Sequence, residues 1–320
     1  MNEFELIGEY FANIGAQRSD VVLGVGDDAA LVMPPAGQDL AVAVDTLVAG
    51  QHFPLDFAAA DIGWRALAVN LSDLAAMGAQ PLYATLALTL PAVETEWLAD
   101  FADGFAQLAK IHGVSLIGGD TTQGPLTISV NVIGVVPKLQ AMRRSLAKAG
   151  DLIYVTGWPG DAAAGLALIE GRLAGQGAMR ASLEDKFRRP EPRVAFGQKL
   201  RQVARACIDV SDGLAQDLAQ LCGRSGVGAV LRYRELPMSR SLHSLAGEER
   251  ALEWVLGGGD DYELLFTVDP KLAPQFAQIR QLGGAPACHC IGEITAKPGV
   301  RLMDGKKELA LPLGWDPFRG

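Results

Sequence analysis

Apolar positions recur along this chain with two periods, and the places where the period changes mark its elements. Phe4, Ile7, Tyr10, Phe11 and Ile14 fall at helical spacing and predict an amphipathic opening helix. Residues 40–44 read as a strand running into Asp45. Trp64, Leu67 and Leu71 line one face of a helix expected over 60–77, and an apolar strand follows over 83–90. Thr95 stands where it could cap a helix carrying Trp97, Phe101, Phe105 and Leu108. A buried strand over 114–117 is expected to break at Gly118-Gly119, and 126–136 alternates as a long strand.

A turn-like break, Ala147-Lys148-Ala149-Gly150-Asp151, separates this half from the next and divides the chain into expected domains 1–148 and 149–320. Beyond it come a strand over 152–156, a turn through Gly157-Trp158-Pro159-Gly160 and a helix over 161–169. The stretch 172–186, rich in Gly, Ala and charge, is expected to be mobile, and Pro190 and Pro192 to open another helix. A helix over 213–222, a strand over 227–232, a helix over 248–256, a strand over 262–268 and a strand-rich end complete the reading. There is no tandem repeat of solenoid period. Strands and helices mix without regular alternation, which favours an α+β fold over a doubly wound sheet.

Composition narrows the class. The 320 residues are 49% hydrophobic and 20% charged, enough for a sizeable core. No apolar stretch is long enough to cross a bilayer, and the acidic start Met1-Asn2-Glu3-Phe4-Glu5 lacks a signal peptide's basic region, so a cytoplasmic protein is expected. A net charge of −9 argues against a nucleic-acid surface but permits phosphorylated small molecules when cations stand between. Cys207 and Cys222 lie in apolar surroundings and read as packing. Cys288-His289-Cys290 lacks zinc-site spacing and a second ligand pair, and reads the same way.

Chemistry concentrates in six Gly/Asp clusters. They are Gly24-Val25-Gly26-Asp27-Asp28, Val44-Asp45-Thr46, Asn70-Leu71-Ser72-Asp73, Gly118-Gly119-Asp120-Thr121-Thr122, Asp209-Val210-Ser211-Asp212-Gly213 and Gly257-Gly258-Gly259-Asp260-Asp261. Glycine allows close backbone approach to a ligand, and aspartate supplies hard oxygens suited to Mg²⁺. Four of the clusters have a bland alternative: a surface turn at Asp27-Asp28 or Asp260-Asp261, a cap at Asp45, an N-cap at Ser211 or Asp212. Asp73 is harder to explain away, because it sits in an apolar helical run with no Lys or Arg within one turn on its face. The first cluster superficially matches a dinucleotide fingerprint, yet two carboxylates would face a pyrophosphate. No Walker A sequence, Gly-x-Ser-x-Gly elbow or His-Glu-x-x-His occurs. The joint reading is a Mg²⁺-dependent nucleotide site drawn from both halves of the chain. Of the histidines, only His52 lies near an acidic cluster, and Arg143-Arg144 could reach a phosphate chain.

The order and spacing of these runs, with Asn70-Leu71-Ser72-Asp73-Leu74-Ala75-Ala76-Met77-Gly78 the most specific, resemble the bacterial thiamine-monophosphate kinases over essentially 4–315. The resemblance implies an α+β, two-domain aminoimidazole-ribonucleotide-synthetase-like fold. Its N-terminal α/β domain would bind ATP and metal and form a homodimer through its sheet, and its C-terminal α+β domain would complete the site. It implies in-line phosphoryl transfer from ATP to thiamine monophosphate, giving thiamine diphosphate with several Mg²⁺ ions. By position, Asp28, Asp45, Asp73, Asp120, Asp209 and Asp212 would be metal ligands. Gly119, Asp120, Arg144 and Ser211 would contact ATP, and His52, Asp260 and Trp315 the thiamine phosphate. Two positions depart from the family pattern. Ala43-Val44-Asp45 replaces a common Ser-Thr-Asp, so a metal contact at 44 could use only the backbone carbonyl, and Asp260 replaces a usual Glu, one methylene shorter.

No general base is expected, because a phosphate acceptor is already largely ionised near neutral pH. Rivals of the same fold are aminoimidazole ribonucleotide synthetase, selenophosphate synthetase and a hydrogenase-maturation relative; the second needs an early reactive cysteine and the third a C-terminal one. A non-catalytic nucleotide- or metal-binding protein is the rival from another class.

Overall fold

The computed structural model describes residues 3–26, 28–312 and 314. The chain divides into two compact units, Met1–Leu74 with Ala79–Leu139, and Ala75–Gly78 with Gln140–Gly320.

In the first unit, α1 (Glu3–Leu6) widens into a π-helical turn, Ile7–Phe11, and β1 (Val21–Leu23) pairs with β2 (Leu31–Val32). There follow β3 (Gln38–Val48), α2 (Ala59–Ala76), β4 (Gln80–Leu90), α3 (Thr95–His112), β5 (Ser115–Gln123) and β6 (Thr127–Pro137). The strands form one sheet in the order β3-β6-β4-β5, antiparallel except for β4 and β5, which α3 connects as a crossover. Strand alternation gives this sheet two unlike faces. Leu47, Leu86, Leu88, Ile128 and Val130 are buried on one, as are Leu67 and Leu71 of α2 and Phe101 and Phe105 of α3. On the other, Leu40, Val42 and Val44 of edge strand β3 are exposed apolar residues.

The second unit contains β7 (Leu152–Thr156), α4 (Asp161–Ile169), α5 (Gly177–Arg188), α6 (Val194–Leu200), β8 (Ala204–Val210), α7 (Leu214–Ser225) and β9 (Gly228–Arg232). It continues with α8 (Arg240–Ala246), α9 (Glu248–Gly257), β10 (Glu263–Val268), α10 (Ala273–Arg280), β11 (Cys288–Thr295), β12 (Gly299–Asp304) and β13 (Lys307–Leu309). Its sheet runs β13-β12-β9-β11-β7-β10-β8 and is antiparallel except where β12 meets β9. An aliphatic core including Ile153, Val155, Ile208, Val210, Leu214 and Leu265 fills one side. Tyr154, Phe196, Phe266 and Phe276 pack edge-to-face or stacked on the other.

Several elements differ from the sequence expectation. The stretch expected to be mobile forms most of α5, because Leu183 and Phe187, one turn apart, are both fully buried. β5 does not break at its glycines but bulges at Ile117 and runs on to Gln123, paired in parallel with β4. Thr95 is the first helical residue rather than the cap. Pro190 and Pro192 precede α6, which starts at Val194. Cys207, Cys222 and Cys288 are buried and free, and His289 packs against the Trp158 ring at 4.6 Å. Among the described residues no helix is long and apolar enough to cross a membrane.

Candidate functional site

Register decides where the acids of the first unit stand. Asp45 pairs with Val130, and Val130 with Leu86, on the helix-covered face. The buried Asn70 side chain of α2 accepts the Asp45 N–H at 2.9 Å while donating to the Ala66 carbonyl at 3.0 Å. Asp73 follows Asn70 by three residues, hence on the same side of α2. Asp45 and Asp73 therefore share the seam where β3 meets α2. Asp120 pairs with Ala87, Ala87 with Ser129 and Ser129 with Thr46, all on the opposite face. Asp28 is exposed in the connection between β1 and β2.

Gly119, between these faces, could be no other residue without moving the strand: a Cβ there would come within 1.8 Å of the Leu86 carbonyl oxygen. His52 closes the end of β3, its Nδ1 accepting the Val48 N–H at 3.0 Å. That bond fixes the tautomer, leaving Nε2–H as the outward donor.

In the second unit the two remaining clusters are neighbours. β8 delivers Asp209 and Val210 opposite Leu264 and Glu263 of β10, so the connection after β8 meets the one before β10. The Ser211 carbonyl accepts the Asp260 N–H and the Val210 carbonyl the Tyr262 N–H, both at 2.8 Å. A Cβ on Gly259 would lie 2.5 Å from the Ser211 oxygen, so this contact needs glycine. The turn itself is held from α7: one oxygen of Asp217 accepts the N–H groups of Ser211, Asp212 and Gly213, each at 3.1 Å. Both backbone polar groups of Ser211 are thus engaged, and what it can offer a ligand is its hydroxyl.

Asp209 is buried at 4% exposure. Burial first, then the charges of Asp209 and Asp212, push the Asp217 carboxyl up to about 8. Arg144, in a short 3-10 turn, donates to Gln220 Oε1 at 3.2 Å, and its positive charge is felt at Cys207, two residues before Asp209.

Three acids to which the sequence reading gave no site role brace this region. Asp217 is one. Asp261 accepts the N–H groups of Gly160 and Ala162 at the start of α4, at 2.8 and 3.3 Å, and burial pushes it well above the usual carboxylate range. Glu263 meets Arg193 in a two-bond fork of 2.7 and 2.6 Å and accepts the Thr156 hydroxyl at 2.5 Å. The signal that could have found Asp217 is the spacing Ser211–Asp217, a carboxylate one turn inside a helix following a Gly/Asp turn. The Arg193–Glu263 pairing spans 70 positions and left no local trace.

Trp315, expected at the substrate, lies outside the described residues, as does Asp27. Among the described residues no group of three or more His, Cys, Asp or Glu side chains is gathered so as to hold a metal ion. Asp45 and Asp73 are brought to one seam, Asp209, Asp212 and Asp260 to one pair of connections, and Asp120 is set on a different face from Asp45.

Comparison with known proteins bears on this arrangement. The AIR synthase related protein N-terminal domain family matches residues 26–136, and the corresponding C-terminal domain family matches 148–305. The chain is 49% identical over 297 residues to the thiamine-monophosphate kinase of Escherichia coli K12, covering 92% of this chain and 90% of that one. The crystal structure of thiamine-monophosphate kinase from Stenotrophomonas maltophilia superposes with a TM-score of 0.85 at 46% identity, over 89% of this chain and 92% of that one. AaThiL complexed with AMPPCP and TMP superposes with a TM-score of 0.77 at 28% identity, over 91% of each chain. The paired domains, the identity sustained across both of them and the acidic clusters in their expected order place this chain in the thiamine-monophosphate kinase family.

Proposed function

We infer that this protein is an ATP-dependent kinase that phosphorylates thiamine monophosphate to thiamine diphosphate. Identity of 49% across 92% of the chain carries the reading. AaThiL complexed with AMPPCP and TMP supports the pairing of a nucleoside triphosphate donor with a phosphate acceptor.

Mg²⁺ fits the donors this chain supplies. Aspartate oxygens are hard ligands, and Asp209 and Asp212 stand on one turn held in place by Asp217. In the first unit the proposed ligands are Asp28, Asp45, Asp73 and Asp120; in the second, Asp209 and Asp212. Bound there, Mg²⁺ supplies charge neutralisation for the donor and acceptor phosphates.

The chain's own residues do the rest. Asn70 fixes the backbone at Asp45, so that this carboxylate and Asp73 are presented together. His52 offers Nε2–H as a donor to the acceptor phosphate. Gly119, Asp120, Arg144 and the Ser211 hydroxyl are the proposed nucleotide contacts. Arg144 is a fixed positive charge suited to bidentate phosphate binding. Asp260 and Trp315 are the proposed contacts to the thiamine moiety. The acceptor oxygen is already ionised near neutral pH, so the transfer needs positioning and charge stabilisation rather than a base.

The exposed row Leu40, Val42 and Val44 on edge strand β3 favours a homodimer formed through this sheet, since a second copy would cover it. We place the enzyme in the cytoplasm, with its nucleotide supply. Incubation with ATP, Mg²⁺ and thiamine phosphate should yield ADP and thiamine diphosphate in equal amounts. ATP turnover indifferent to thiamine phosphate would refute the assignment.

A further inference from the structure

The connection between α9 and β10 holds a backbone that side chains rarely adopt. Asp260 has φ +69° and Tyr262 φ +50°, two of the three non-glycine residues in the left-handed region among those described. For a bulky aromatic residue this conformation is strained and persists only where the surroundings force it. Here they do. The N–H groups of Asp260 and Tyr262 are bound to the carbonyls of Ser211 and Val210. Between them, the Asp261 carboxylate is buried and bonded to the first turn of α4. One residue further on, Glu263 is locked to Arg193.

The strained backbone has a local result. It brings the Tyr262 hydroxyl to the carboxylate of Asp260, two residues earlier, where it donates to Oδ1 at 3.1 Å. Tyr262 is itself buried at 8% exposure, so its ring is fixed by packing and its hydroxyl is a stationary donor. Asp260 is the half-buried member of the pair and the one assigned to the substrate.

We propose that Tyr262 is a positioning residue for thiamine phosphate: its hydroxyl sets the direction in which the Asp260 carboxylate meets the substrate. The proposal rests on the reading of Asp260 as a substrate contact. A carboxylate on a short side chain has two free torsions, and one hydrogen bond from a fixed phenol removes most of that freedom. The tyrosine holds Oδ1, and with it the plane of the whole carboxylate. Asp261 and the Arg193–Glu263 fork hold the frame in which this occurs.

The test compares Tyr262→Phe with Asp260→Ala in steady-state kinetics, varying each substrate while the other is saturating. Melting temperatures and calorimetric binding of thiamine phosphate alone are measured alongside. Tyr262→Phe deletes one oxygen and leaves the ring, so it should stay folded. It should raise KM and Kd for thiamine phosphate about five- to tenfold, with KM for ATP and kcat within about twofold. Asp260→Ala should raise the same two constants by more. A general loosening, with both KM values rising alongside a lowered melting temperature, overturns the positioning role in favour of a structural one. If Asp260→Ala weakens thiamine phosphate binding and Tyr262→Phe does not, the positioning role alone falls. If Asp260→Ala leaves binding unchanged, the substrate assignment of Asp260 falls and takes this proposal with it.

Discussion

The candidate ligands of the first unit and the bracing acids of the second are treated in opposite ways. In the first, Asp28 and Asp120 are exposed and Asp45 and Asp73 half-buried, on a sheet face, a helix seam and a loop. In the second, Asp209, Asp217 and Glu263 are buried, and so is the Asp261 carboxylate. Burying an ionised carboxylate is expensive unless several donors replace water. Three of these acids meet that condition, with three N–H groups at Asp217, two at Asp261 and a guanidinium fork at Glu263. The lesson is a division of labour among residues of one type. Asp217, Asp261 and Glu263 hold the loops on which the candidate ligands Asp209, Asp212 and Asp260 stand.

That contrast breaks if the buried acids prove dispensable. Arg193→Met strands Glu263 without its partner and should lower unfolding free energy by about 3–5 kcal/mol, read from urea denaturation. A change below 1 kcal/mol would mean the fork is ornamental. Asp73→Asn tests the other side. It should reduce kcat on the order of 100-fold or more at saturating Mg²⁺, with the melting temperature nearly unchanged. Retained turnover would remove Asp73 from the ligand set.

Titration sharpens the comparison. Burial pushes the Asp161 carboxyl, which accepts the Ser239 hydroxyl at 2.6 Å, up to about 6. The folded state therefore holds a proton that the unfolded chain has released, and this stabilisation is lost as pH rises from about 4 to 6. Asp161→Asn should flatten that segment of the stability–pH curve, a difference on the order of 2–3 kcal/mol between its ends. An unchanged curve would show that Asp161 is ionised without cost. The smallest effect is expected from Val44→Thr. It restores a hydroxyl on the face opposite Asp45, and should shift the Mg²⁺ concentration giving half-maximal rate by less than about threefold. A larger shift would mean that residue 44 reaches the metal through its side chain.

Much was legible in the chain itself. The helix at 59–76, the strand at 127–137 and the Gly/Asp runs between elements were readable because local periodicity and turn chemistry act over a few residues. Where reading failed, a distant partner had decided the outcome. β5 continues through Gly118-Gly119 because β4 supplies its hydrogen bonds, and α5 forms because Leu183 and Phe187 find a core. The candidate acids were readable as types, but not the face each one takes.

By itself, then, the sequence determined the family, the chemistry and the order of the acidic clusters, because these follow from residue identity and spacing. Tertiary structure alone decided that Asp45 joins Asp73 and parts from Asp120, since a strand's two faces are assigned by register with its neighbours. It alone paired Arg193 with Glu263 and set the Tyr262 hydroxyl against Asp260. Those contacts depend on long-range packing, which holds the backbone where local preference would not.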